Sequence, residues 1–193
     1  MTSRKFAFLI ASAAIVLASG TATAEEAYVA PVKDYIEANV KTWLSDPVIL
    51  EAIKAQNAKN AGLSQADIDG LDQKWRAEVD GSDRAMIDGV LANPVSALLK
   101  AKQEASGGTI TEVFVMDSKG LNVGQSDVTS DYWQGDEDKF QKSYGAGAGA
   151  IFVDEAEKDE STQILQSQAS VTIADETGAP IGAITIGINL DGL

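Results

Sequence analysis

The chain of 193 residues contains no histidine and no cysteine. Without histidine the usual zinc sites and imidazole acid–base chemistry are excluded. Without cysteine, thiol nucleophiles, thiolate metal sites and disulfide staples are excluded as well. Arginine is scarce too: apart from Arg4 only Arg76 and Arg84 occur, so a bidentate clamp on a ligand carboxylate has few residues to draw on. Long apolar runs are also missing after residue 24, so no later segment has the roughly 20 apolar residues needed to cross a bilayer.

The first 24 residues read as a secretory signal peptide. Arg4 and Lys5 form the positive end, Phe6 to Ala18 is apolar, and Ala22-Thr23-Ala24 supplies a small-x-small cleavage site. The expectation is a periplasmic or secreted protein formed by residues 25–193, folded as one domain with a helical part (25–106) and a sheet part (107–193). Taking Arg4 and Lys5 from the 15 basic residues leaves 13 against 29 acidic ones, a net charge of -16. Such a field repels phosphate backbones and anionic membranes, so nucleic acid is not an expected partner.

Periodicity divides the chain near Gly107-Gly108. Val32, Ile36, Val40, Trp43, Leu44, Val48 and Ile53 recur at helical steps over about 32–60, a long N-terminal helix that Asp46-Pro47 either kinks or restarts. Ser64 with Asp67 resembles a capping box for a second helix reaching about Val79, with Ile68, Leu71 and Trp75 on one face. Further helices are expected over 82–91 and, after Asn93-Pro94, over 95–104. Beyond the glycines the period drops to two. TITEVFVM reads as a strand, Asp117-Ser118-Lys119-Gly120 as a turn, Leu121 to Val123 as the returning strand and Ile151 to Val153 as a short one. Residues 127–138 read as a polar loop, 140–144 as a helical turn and 154–160 as an acidic loop. The clearest alternation is in Leu165 to Ile173 and Ile184 to Leu190, joined by a hairpin loop at 175–180. The fold class is α+β: helices packed on an antiparallel sheet of about five strands.

The pieces VFVMDSKGLNVGQSD, Asp131-Tyr132-Trp133 and the closing hairpin around Gly178 and Gly182 resemble the extracellular PAS-like sensor family called the Cache domain, in its single, free-standing periplasmic form. The resemblance covers roughly 109–190, and the long helix extends it over most of the mature chain. It implies a PAS-like sheet and a pocket between that sheet and the loops on one face, for amino acids, amines or carboxylates. Most Cache domains are joined to membrane helices and signalling modules. No such module is read in this sequence, so the implied partner is a separate membrane receptor, or a second copy paired through the N-terminal helix.

Six residues are candidate ligand contacts. Tyr132 and Trp133 offer flat rings and, at Tyr132, a hydroxyl; either ring can equally plug the core. Asp127 and Asp131 flank them and suit an ammonium group, although Asp127 also suits a turn or cap. Tyr144 and Asp154 stand near the short strand. The even positions Gln166, Gln168, Ser170 and Thr172 form either the solvated side of a sheet or the floor of a pocket. Acidic stretches at 136–138 and 154–160 lack the alternating D-x-D-x-D-G pattern of a calcium loop and read as surface. The Asp67, Asp69, Asp72 series reads as the solvated face of a helix. No G-x-S-x-G elbow occurs, the GAGAGA run at 145–150 lacks the ending of a phosphate loop, and no enzyme activity, metal or cofactor is expected. A sensory small-molecule-binding domain is the leading reading; the alternative is an interaction protein acting through its N-terminal helix.

Overall fold

The first helical stretch changes type before it turns. In the computed structural model, which describes residues 26–158 and 163–193, α1 (Val29–Tyr35) passes into a π turn over Ile36–Val40 and a 3-10 turn over Lys41–Ser45. The backbone of Asp46 is extended, and its side chain accepts the Val48 N–H at 2.9 Å to open α2 (Pro47–Asn60). The expected helix over 32–60 is therefore two helices, because an aspartate cap with proline at the first helical position restarts the chain in a new direction. Val32, Ile36 and Val40 stay buried throughout. The segment 1–24, read as a signal peptide, and the pair Asp159–Glu160 lie outside the described residues.

Ser64 and Asp67 form a reciprocal capping box at the start of α3 (Gln65–Asp80). The next helix, α4 (Ala85–Leu91), starts three residues later than its pattern suggests, with Arg84 at its cap. Asn93 accepts the Ser96 N–H at 2.8 Å and opens α5 (Pro94–Ala105).

The strands β1 (Ile110–Asp117), β2 (Asn122–Gln125), β3 (Ile151–Val153), β4 (Glu157–Lys158), β5 (Leu165–Ala174) and β6 (Pro180–Asn189) form one antiparallel sheet of order β2-β1-β6-β5-β3, with β4 also on β5. Between β2 and β3 lie one short α-helix, α6 (Asp138–Gln141), and a 3-10 turn over Tyr144–Ala146. The segment read as an acidic loop contributes β4, since Glu157 and Lys158 pair with Gln166 and Leu165.

Strand parity gives the sheet two faces. Val113, Val115, Val171, Ile173, Ile184, Ile186 and Ile188 point at α1, α2 and α5 and form the main core with Ile49, Ile53, Val95 and Leu99. Each fully buried branched side chain there contributes about 1.5–3 kcal/mol, so this layer fixes how the helices lie on the sheet. Leu165 departs from its expected inward place and is 41 % exposed, beyond the reach of the helices at the start of β5.

Candidate functional site

The second face of the sheet is the informative one. Its residues are mostly small and polar: Ser170 pairs with Thr185 across β5 and β6, and Thr172 with Ala183, while Phe114 and Met116 continue the rows on β1. A solvated face would leave these hydroxyls in water. Instead Ser170, Thr172 and Thr185 are 0, 3 and 0 % exposed, because the segment between β2 and β3 folds back over them. Phe140 of α6 and Tyr144 stack at 4.9 Å and pack on Phe114, Met116 and Ala183. The Ser170 and Thr185 hydroxyls satisfy each other at 2.8 Å. The Thr172 hydroxyl has no hydrogen-bond partner among the described residues. Of the two sequence readings of the even positions, the solvated side is thereby corrected at Ser170 and Thr172.

A cavity of about 210 Å³ opens beside this face, lined by Lys139, Asp154, Gln166 and Gln168 with Glu137, Glu155 and Glu157. Lys139, placed by α6, is largely buried; its ammonium pairs with Glu137 at 2.8 Å and lies 5.7 Å from the Phe114 ring. Gln168 donates to Glu112 at 2.7 Å. The lining thus holds one ammonium and four carboxylates around amide groups, an arrangement suited to a small molecule that bears a positive charge and hydrogen-bonding groups. Tyr144 stands over the apolar end of the same face, where burial and then the nearby Asp117 carboxylate raise its phenol above the ordinary value. Asp154 uses its carbonyl oxygen to hold Tyr28 and Ser167, at 3.1 and 2.8 Å.

The other four candidate residues lie elsewhere. Asp72 of α3 is buried and accepts the backbone N–H groups of Tyr132 and Trp133 at 2.9 and 3.0 Å. The reading of Asp72 as a solvated helix residue is therefore corrected: its carboxylate clamps the aromatic loop. Arg76, one turn on, contacts Asp72 and Asp131, each at 2.7 Å. Tyr132 stacks on Trp75 with ring centroids 5.3 Å apart, and the Trp133 indole donates to the Lys119 carbonyl at 2.8 Å. Asp127 lies against α5, held by Lys100, Gln103 and Ser126 at 2.9, 2.7 and 3.0 Å. Partial burial opposes its ionisation, but those three donors prevail and lower its pKa. The six residues therefore do not share one cavity. Tyr144 and Asp154 belong to the loop-covered side, Tyr132, Trp133 and Asp131 to the α3 clamp, and Asp127 to α5.

Lys139 and Asp72 do not stand out as site residues in the sequence, for different reasons. Lys139 sits in an acidic stretch without periodicity. Asp72 carries one signal, the i,i+4 spacing to Arg76. Among the described residues no group of three or more acidic side chains is arranged to hold a metal, and no helix is long and apolar enough to cross a membrane. A cavity of about 650 Å³ between α2 and α5 is largely apolar and meets none of the six candidates. Another, of about 550 Å³, lies between α2, α3 and α4 and has Tyr132 in its lining.

No protein-family model matches the chain, and no curated protein matches it. Solved structures do. The sensor domain of the V. cholerae histidine kinase DctB has 13 % identity and a TM-score of 0.49, over 85 % of this chain and 51 % of that one. The E. coli DcuS sensor domain has 19 % identity and a TM-score of 0.37, over 64 % of this chain and 91 % of that one. The ligand-binding domain of the Campylobacter jejuni chemoreceptor Tlp3, in complex with L-norvaline, has 15 % identity and a TM-score of 0.37, over 79 % of this chain and 60 % of that one. The chain spans about half the length of the DctB sensor domain it matches. These three solved structures are two sensor domains, one of them from a histidine kinase, and the ligand-binding domain of a chemoreceptor.

Proposed function

We propose that this chain is a Cache-type sensory domain of the bacterial envelope that binds a small ammonium-bearing molecule, an amine or an amino acid, against the loop-covered face of its sheet. The observation that carries the reading is the burial of Ser170, Thr172 and Thr185 beneath Phe140 and Tyr144. A covered face that served stability alone would be apolar; this one buries the Thr172 hydroxyl without a partner among the described residues, at a cost of about 1–3 kcal/mol. Here the polar row runs toward Gln168 and the cavity of about 210 Å³. In that cavity Lys139 faces a ligand carboxylate, and Glu137, Asp154, Glu155 and Glu157 surround an ammonium group. The reading of residues 1–24 as a signal peptide supports export, and a separate membrane receptor is the proposed recipient of the signal.

The interaction-protein alternative has less to stand on, since Val32, Ile36 and Val40 spend the apolar stripe of the N-terminal helix on the sheet. The test uses the mature protein with its methionine methyl groups labelled for NMR, titrated with amino acids, alkyl amines and dicarboxylates. Met116 lies under Tyr144 and reports on this face. The expected result is a saturable shift of the Met116 methyl and a raised Tm with at least one ammonium-bearing compound, both weakened about tenfold or more by Lys139→Ala where the compound is an amino acid, and by Glu157→Gln where it is a simple amine. Binding by none of them, or binding that leaves Met116 and the matching variant unaffected, refutes the reading.

A further inference from the structure

The cavity between α2, α3 and α4 stands apart from the loop-covered face. One wall is Lys59 at the end of α2 with Leu63 in the connection that follows it, a second is α3 with Leu71 and Lys74, and Met86 of α4 closes it. At its base is Tyr132, 8 % exposed, whose hydroxyl makes no hydrogen bond to any described residue. This is unlike the other aromatic polar groups nearby: the Trp75 and Trp133 indoles both donate, to the carbonyls of Thr129 and Lys119 at 2.8 Å each. A phenol whose ring is buried, and whose accessible hydroxyl has no partner among the described residues beside a cavity of about 550 Å³, is an open donor.

The charge of the lining differs from that of the molecule around it. The sequence has 29 acidic against 15 basic residues, yet this lining includes two lysines and no carboxylate. The acids that come near are engaged elsewhere: Asp117 beneath accepts from Gln56 and Asn60, at 3.1 and 2.8 Å, and Glu78 accepts the Met86 and Ile87 N–H groups while standing 3.8 Å from Lys74. The geometry points to a second binding site in this groove, for a small carboxylate with an aromatic or branched apolar body. The body lies on Leu63, Leu71 and Met86, an oxygen of the ligand accepts the Tyr132 hydroxyl, and the carboxylate faces Lys59 and Lys74. Burial, with a smaller contribution from the Asp117 charge, pushes the Tyr132 phenol up to about 12, so it remains a donor at any physiological pH.

The same methyl-labelled mature protein tests this site independently of the first, because Met86 lines the groove while Met116 lies on the other face of the sheet. The probes are phenylacetate, benzoate and isovalerate, with benzylamine as the charge-reversed control. The expected result is a saturable shift of the Met86 methyl with a carboxylate and a much weaker one with benzylamine, Met116 remaining still and Lys139→Ala having no effect. Tyr132→Phe, which keeps the ring on Trp75, weakens binding about tenfold. Gly89→Leu in α4, where a side chain meets open space and helix propensity rises, fills the groove and abolishes binding. No Met86 shift with any of the three carboxylates at millimolar concentration overturns the proposal, as does a shift that survives both variants or one matched by benzylamine.

Discussion

At Asp72 one carboxylate oxygen receives two backbone N–H groups and the other receives Arg76 Nε at 2.7 Å. The two contributions are unequal. Arg76 is 57 % exposed at its side chain, so its ion pair is screened and contributes at most about 1 kcal/mol. The Tyr132 N–H is buried and the Trp133 N–H partly so, and Asp72 is the acceptor of both. Asp72→Ala is therefore expected to cost about 3 kcal/mol in urea unfolding, and Arg76→Gln about 1 kcal/mol or less. Equal losses would mean that the ion pair, not the loop clamp, is what Asp72 supplies. The sequence marks Asp72 only by its spacing to Arg76; which distant N–H groups an aspartate will meet depends on a loop some 60 residues away.

Among the elements, the turn from β1 to β2 shows how a local motif becomes a tertiary one. Asp117 closes the turn by accepting the Lys119 and Leu121 N–H groups at 2.8 and 3.1 Å, a pattern readable from Asp-x-x-Gly. Its other oxygen accepts from Gln56 and Asn60 of α2, which no local pattern announces. Gly120 has φ +81°, and a Cβ on it would lie 2.5 Å from Gly135 Cα. Gly178, in the β5–β6 hairpin, has φ +84° but open space around it. Gly178→Ala is expected to cost about 1 kcal/mol, the backbone strain alone, and Gly120→Ala about 3 kcal/mol or more, because the aromatic loop must also move. Thermal unfolding of the two variants separates the two costs; similar values would show that Gly135 yields easily.

For the molecule as a whole, all four tyrosines of the sequence share one feature. Tyr28, Tyr35, Tyr132 and Tyr144 each have a phenol raised above its ordinary value of 10.0, with burial as the largest cause. The folded state thus holds these protons more tightly than the unfolded chain. Their contribution to stability is fully present below about pH 10 and is lost as pH rises through the folded values, about 12 for Tyr132. The expected outcome is a Tm that falls steeply above pH 10, with a smaller fall in Tyr132→Phe. An unchanged slope in that variant would mean that Tyr132 does not titrate differently on folding.

The α+β class, the Asn93-Pro94 helix start, the capping box at Ser64 and the closing hairpin were all determined by the sequence alone, because each rests on contacts within a few residues or on a repeat of two or about 3.6. Only the tertiary structure decided that the polar side of β5 is covered, that the long helix is two, and that the six candidate residues divide among separate places. Alternation tells which side chains share a face but not what lies on that face. Segments without periodicity, such as 127–150, are positioned by single side chains like Asp72, whose partners are remote in the chain.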